Sequence, residues 1–215
     1  MPQRCAFWSA RRTLILADLH LGKTNALRAR GSRLPASLPQ RLLDRQLDHL
    51  DQAIRLTRAE RVLIVGDLLH AGIGLDAPLV DAVARRFARW RARIELIPGN
   101  HDRAIDAVAQ RWGIRVLPTA LVDGPFAFAH NPVDAPPGVF TWAGHVHPVL
   151  AMHSGADSAR LPCFHLSDGL GLLPAFSTFT GGSPVRPAAA DRVFAIVDNR
   201  VRQLLGPATD PPPQA

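Results

Sequence analysis

Apolar runs in this chain stop repeatedly on aspartate, histidine or asparagine. LILADLHLGK, residues 14–23, carries Asp18 and His20; GDLLH carries Asp67 and His70; PGNHD carries Asn100, His101 and Asp102; AHNP carries His130; AGHVHP carries His145 and His147. Carboxylate oxygen, imidazole nitrogen and amide oxygen form a donor set of intermediate softness, which favours Mn, Fe or Zn over Ca. Residues two apart on a strand share a face, so Asp18 and His20 are expected to point to one side and grip one object. An isolated Asp-x-His is a weak signal, because strand-end caps and surface pairs have the same form. The strength lies in its recurrence at one run after another. A paired divalent centre is the chemistry this set suits, since two ions about 3.5–4 Å apart can clamp both oxygens of an in-line displacement at phosphorus. Two carboxylates under two such ions leave net positive charge, which an anionic phosphate ester would offset.

The runs that carry these residues read as central strands. TLILA (13–17), RVLIV (61–65) and RIELI (93–97) are short and rich in branched side chains, as strands buried on both faces are. Between the first two, Leu43, Leu47, Leu50 and Ile54 repeat at helical spacing behind Pro39; between the second and third, Val80, Val83, Phe87 and Trp90 do the same. The order βαβαβ predicts a parallel sheet with right-handed crossovers. Ligands bind such sheets outside the carboxyl ends of the strands, where the polar residues lie. A third helix is predicted over 102–112, with Ile105, Val108 and Trp112 on one face and Gly113 at its end; Asp102 either caps it, the plainer reading, or orients a neighbour. After residue 114 the texture changes to short strands (IRVL, PFAFAH, GVFTWAGH, HPVLAMH, LPCFHL, RVFAIVD, RVRQLL) between turns rich in Pro and Gly. The expected fold class is α/β, with two mixed β-sheets stacked face to face and helices outside.

A chain of 215 residues, 47% hydrophobic, can bury one sizeable core, and no linker-like stretch divides it. A single domain over 1–206 is expected, followed by a disordered Pro-rich tail at 207–215. Cys5 and Cys163 are far apart and outside any metal-type spacing, so neither a disulfide framework nor a cysteine zinc site is suggested, which suits a reducing compartment. Residues 1–12 lack the apolar core of a secretory leader, and no run approaches the roughly 18 apolar residues of a membrane span. A cytoplasmic location without membrane attachment is the expectation. The formal charge of +7 suits a nucleic-acid partner. It suits equally the arginine-rich product of a GC-rich coding sequence, Lys23 being the one basic residue that is not arginine.

The series Asp-x-His, Gly-Asp, Gly-Asn-His-Asp, His and Gly-His-x-His, spread over residues 14–148, resembles the calcineurin-like metallophosphoesterase superfamily. The resemblance implies a four-layer αββα sandwich and two divalent metal ions, Mn first and Fe or Zn after it. It implies that Asp67 bridges the ions, that Asp18, His20 and His147 complete one site, and that Asn100, His130 and His145 complete the other. It gives His101 the part of protonating the leaving oxygen or stabilising the charge that develops there. One departure stands out: some branches place an acidic residue three positions after the bridging aspartate to support that histidine, and this chain has His70 there. The orientation of His101 is therefore open, with His70 either supporting a neighbour or contacting substrate. More narrowly, DLHLGK, GSRLP, GDLLH, HNP, GHVHP and LPAFSTFTGG resemble the bacterial ligase-associated DNA damage response endonucleases of the PdeM type. That implies a phosphodiesterase acting on DNA, single-stranded in the first place, in repair beside a DNA ligase, a helicase and an exonuclease, with a homodimer as a further expectation. Two rivals remain: the same metals acting on a small nucleotide or pyrophosphate, and a non-catalytic scaffold, which the full ligand set disfavours.

Other residues carry weaker expectations. Lys23, Arg28, Arg30 and Arg33 lie in the stretch LGKTNALRARGSRLP, read as a loop that either holds flanking phosphates or is simply solvated. Gly66, Gly99 and Gly144 are expected to be backbone hinges beneath the metals. His49, His153 and His165 match no motif and are expected to be structural, His49 being solvated.

Overall fold

A computed structural model describes residues 1–154 and 157–207. Ala6–Trp8 (β1), Thr13–Leu16 (β2), Arg61–Val65 (β3), Arg93–Ile97 (β4) and Ile114–Val116 (β5) form a 5-stranded sheet in that order. β1 is antiparallel to β2, and the remaining neighbours are parallel. Every residue of β2 and β3 is buried, because both faces of the sheet are covered. The alternation is strict: Leu14, Leu16, Val62, Ile64, Ile94 and Leu96 enter the core beneath the helices, while Ile15, Leu63, Val65 and Ile97 enter the core between the sheets.

The helices are Lys23–Ala29 (α1), Leu38–Thr57 (α2), Ala77–Phe87 (α3) and Ala109–Trp112 (α4). α2 has a proline in its first turn and buries Leu43, Leu47 and Leu50. α3 starts at Asp76, whose carboxylate accepts from the Leu79 amide at 3.0 Å, and buries Val80, Val83 and Phe87. Trp90 lies beyond the end of α3, its ring 4.5 Å from Phe87 and its indole N–H donating to Asp51.

Two local expectations are corrected. The basic stretch after Leu21 is not a loop throughout: it forms α1, which buries Thr24 and Ala26. Gly22, at φ 78, begins it and meets Gly74 so closely that a Cβ would lie 2.8 Å from the Gly74 carbonyl oxygen. Tertiary packing holds this short helix, whose length alone would not sustain it. The predicted helix over 102–112 is instead a 3₁₀ segment, Asp102–Ala107, followed by α4, with Gly113 at φ 65 ending it as expected.

The second half folds as Ala120–Asp123 (β6), Phe126–Ala129 (β7), Phe140–Ala143 (β8), Pro148–Ser154 (β9), Asp157–Ser167 (β10), Leu170–Leu172 (β11), Ser183–Pro184 (β12), Arg192–Val197 (β13) and Arg200–Leu205 (β14). These make a 9-stranded mixed sheet, in which β7–β8, β8–β11 and β9–β12 are parallel. Phe128, Phe164 and Leu173 from this sheet meet Ile15, Leu63 and Val65 of the first. The architecture is thus α/β, two mixed sheets face to face flanked by helices, as expected. IRVL alone among the late runs crosses over, pairing with β4 as β5. Most of the expected tail, 208–215, lies outside the described residues. No helix among the described residues is long and apolar enough to cross a membrane.

Candidate metal centre

The side chains singled out by their spacing stand on loops that leave the strands, not on the strands. β2 ends at Leu16 and β3 at Val65, so strand alternation is not what aligns Asp18 with His20. Asp18 (φ 59), His20 (φ 50), Asp67 (φ 50), His145 (φ 67) and His147 (φ 53) all have left-handed backbones. Such a conformation in a non-glycine residue costs about 1–3 kcal/mol and persists only where its surroundings enforce it. Hydrogen bonds between the loops do so here: Asp18 N to Gly66 O at 3.0 Å, His20 N to Asp67 O at 2.9 Å, Leu21 N to Leu68 O at 2.8 Å and Gly144 N to His130 O at 3.1 Å. The glycines serve mainly by leaving space. A Cβ on Gly99 would sit 2.3 Å from Asp67 Oδ1, one on Gly144 2.7 Å from the Ala17 Cβ, and one on Gly66 2.0 Å from His130 Nδ1. Of the three, Gly66 alone also needs the left-handed region, at φ 81.

Two donor clusters result. In the first, His20 Nε2 is 3.3 Å from His147 Nε2, and His147 Nε2 is 3.3 Å from Asp18 Oδ1. In the second, His130 Nε2 is 3.2 Å from Asn100 Oδ1, 3.3 Å from His145 Nδ1 and 3.4 Å from Asp67 Oδ1. Asp67 spans them, its other oxygen lying 3.9 Å from His20 Nε2. Two rings are already committed on their far side: His130 Nδ1–H donates to the Val65 carbonyl and His147 Nδ1–H to the Gly181 carbonyl, each at 3.2 Å. Their Nε2 atoms are therefore lone pairs, and lone pairs face lone pairs or carboxylate oxygens across each cluster. A cation resolves that conflict. Ligands about 2.1 Å from one ion lie roughly 3.0–3.4 Å apart at ordinary coordination angles, which matches these separations. The residues present thus fit a metal.

His101 and His70 stand beside the clusters as a stacked pair, ring centroids 5.2 Å apart and 17° between planes. The His101 Nδ1–H donates to the His70 backbone carbonyl at 2.8 Å, so position 70 orients His101 through its main chain. The missing acidic residue is replaced by a carbonyl, which any side chain at 70 would supply. His70 Nδ1 is buried without a partner among the described residues, and so is His20 Nδ1. Asp102 is no helix cap. It is 2% exposed, and its two oxygens accept from the Leu69 and Gly99 amides, each at 2.8 Å, tying the loop after β3 to the loop after β4.

The family model for calcineurin-like phosphoesterases matches residues 11–172, which include every one of these donors. The chain belongs to the calcineurin-like phosphoesterase family. A nuclease MPE of Pseudomonas putida, known from its crystal structure, is 32% identical over 95% of this chain and 93% of that one, with a TM-score of 0.80. This agrees with the narrower resemblance to the ligase-associated endonucleases. The E. coli phosphoesterase Yfce is 15% identical over 90% of this chain and 98% of its own, at a TM-score of 0.46. No curated protein matches the chain.

As a calcineurin-like phosphoesterase the protein is a metal-dependent hydrolase, and its electrostatics suit cation binding. Burial, opposed by Asp67 and reinforced by His147 and His101, pushes the His20 imidazole down to about 3, so it stays a neutral donor. Burial works against ionisation of Asp67, but hydrogen bonding that includes the His101 amide outweighs it and holds the carboxyl below its usual range. For Asp102 burial prevails over its amide hydrogen bonds and raises the carboxyl.

Clefts open on two sides of the phosphoesterase centre. One, of about 460 Å³, is lined by Asn100, His101, His70, Arg30 and Arg103; the other, of about 500 Å³, by His147, Arg4, Arg160, Thr178 and Thr180. Lys23 stands with His20 in a third recess, its Nζ 3.4 Å from Thr180 Oγ1. The structure does not bring Arg28 to the centre; its guanidinium donates to the Ala36 carbonyl at 3.4 Å. His49 is half-buried against Phe176, 5.4 Å between rings, rather than solvated, and His165 pairs with Asp191 at 2.8 Å. The side chain of His153 lies outside the described residues. Arg103 and Arg160 carry no motif and were not legible beforehand. The Val65, His70 and Gly181 carbonyls leave no mark in a sequence at all.

Proposed function

We propose that the protein is a binuclear phosphodiesterase that cuts nucleic acid, DNA first, as an endonuclease in repair. The observation that carries the reading is the carboxylate of Asp67, whose two oxygens face separate donor clusters. Asp18, His20 and His147 would hold one ion and Asn100, His130 and His145 the other, with Mn preferred over Fe or Zn for a mixed nitrogen and oxygen set. Bound divalent cations supply Lewis-acid polarisation of the phosphoryl group. The chain's own residues do the remainder. With its Nδ1–H held by the His70 carbonyl, His101 keeps Nε2 free, and in the imidazolium form the proton on that nitrogen would pass to the leaving oxygen and leave the ring neutral. Arg30 and Arg103 on one side and Arg160 on the other give a polyanion cationic contacts on both sides of the scissile linkage. A strand that continues past the centre both ways is cut internally. The likeness to the Pseudomonas putida nuclease at 32% identity supports the same substrate class.

A cytoplasmic setting suits Cys5 and Cys163, both buried thiols without a disulfide among the described residues. A ligase, a helicase and an exonuclease are the collaborators a repair nuclease would have. The deciding experiment is a metal-resolved turnover screen on single-stranded DNA, duplex DNA, RNA and small phosphodiesters. Manganese-dependent cleavage within single-stranded DNA is expected, and Asp67→Ala is expected to abolish it. Retained turnover in that variant would refute the two-ion arrangement, and turnover restricted to nucleotide diesters or pyrophosphates would favour a small substrate.

A further inference from the structure

We infer that Phe179 selects strands that carry bases, its ring stacking on a nucleobase beside the reacting phosphate; this rests on the nucleic-acid reading above. Phe179 is 39% exposed and is the single aromatic ring among the large exposed apolar side chains of the described residues. Its place is specific: it shares one recess with His20 and Lys23, so an apolar face, a cation and a donor of the metal centre meet at one surface. Phe176, three residues earlier, has the same side chain and is fully buried against the helices. Packing therefore accounts for Phe176 and leaves Phe179 unexplained.

The loop holds the ring rather than letting it drift. Ser177 N donates to Asp18 O at 3.1 Å, and Phe179 N donates to Ser177 Oγ at 3.2 Å. On the other side Gly181 O accepts from His147 Nδ1 at 3.2 Å, and Thr180 Oγ1 lies 3.4 Å from the same atom. The platform is thus tied within two residues on either side to the loops bearing Asp18 and His147. Sites for unpaired strands combine such a ring with a cationic track, because every base has a π-face whatever its sequence. Lys23 and Arg160 supply the track on this side.

The test compares kcat/KM of the full chain with manganese on a single-stranded oligonucleotide and on the same strand with abasic residues around the cleavage site. Wild-type protein is expected to favour the base-bearing strand by about tenfold or more. Phe179→Ala should bring that ratio close to one, Phe179→Trp should keep it, and Phe179→Leu, apolar but without a π-face, should lose most of it. A wild-type ratio near one, or a leucine variant that keeps the full ratio, would overturn the stacking role while leaving the nucleic-acid reading intact. Cleavage of neither strand by protein that still turns over small diesters would remove the nucleic-acid reading and this inference with it.

Discussion

The carboxylate of Asp102 touches no donor of the metal centre, yet it accepts from the amides of Leu69 and Gly99 and so joins the loops that carry Asp67 and Asn100. An amide side chain there would turn one acceptor into a donor facing a buried N–H. Asp102→Asn is expected to weaken manganese binding by about 10- to 100-fold, measured by calorimetric titration, as changes behind metal ligands do. At this scale the sequence named the donors readily, since Asp, His and Asn at run ends advertise themselves. It could not name what aims them. The Val65 and Gly181 carbonyls decide which nitrogen of His130 and His147 is free, and a carbonyl belongs to every residue alike.

Among the elements, β3 and β4 carry chemistry at their carboxyl ends and an ion cluster at their amino ends. Arg61 donates to Glu95 at 2.6 Å and to Asp123 at 2.5 Å, joining both sheets, with Arg61 and Glu95 almost without solvent exposure and Asp123 partly exposed. Removing the cation leaves Glu95 buried with only the exposed Arg93 and Arg115, each 3.7 Å from its other oxygen. Because those two arginines still face the carboxylate, Arg61→Ala is expected to cost at most about 3 kcal/mol in denaturant unfolding. Arg61→Met, which keeps the bulk without the charge, loses the same pairs to Glu95 and Asp123 and should recover only the packing share of that loss. Short, continuous apolar runs rich in branched residues made these strands legible, and the 3.6 period did the same for α2 and α3. α1 escaped notice because its sequence has weak amphipathicity and its stability comes from contact with the Gly72–Gly74 turn. Asp102–Ala107 escaped for a related reason: Asp102 is drawn inward to two amides and tightens the segment to a 3₁₀ form.

At the scale of the molecule, charge and thiol burial make further predictions. On the proposed nucleic-acid reading the formal charge of +7 matters where it adjoins the centre, and Arg30 and Arg160 are exposed in the two clefts there. Binding of single-stranded DNA should weaken log-linearly with salt, and Arg160→Ala should reduce the slope by about 0.7, the share of one phosphate contact. An unchanged slope would place Arg160 off the strand's path. Burial pushes the thiols of Cys5 and Cys163 up to about 12 from an ordinary 9.0. Because the folded value is the higher one, their contribution to stability is complete below pH 9 and is lost as pH rises towards 12. Ellman's reagent at pH 8 should therefore label the native protein slowly and the unfolded protein at once.

The sequence by itself determined which side chains could ligate, which runs had to be buried, and that both halves would form sheets, because residue chemistry and hydrophobic period are local properties. Tertiary structure decided how the donors meet. Asp18, His20, Asp67, His145 and His147 converge through left-handed backbones that no propensity would predict, held by hydrogen bonds between loops far apart in the chain. It decided, too, that Asp67 faces both clusters, that His101 leans on a carbonyl, and that Phe179 stays in the open while Phe176 is covered. Each of these is a relation between distant segments, and only the packing of one sheet against the other fixes it.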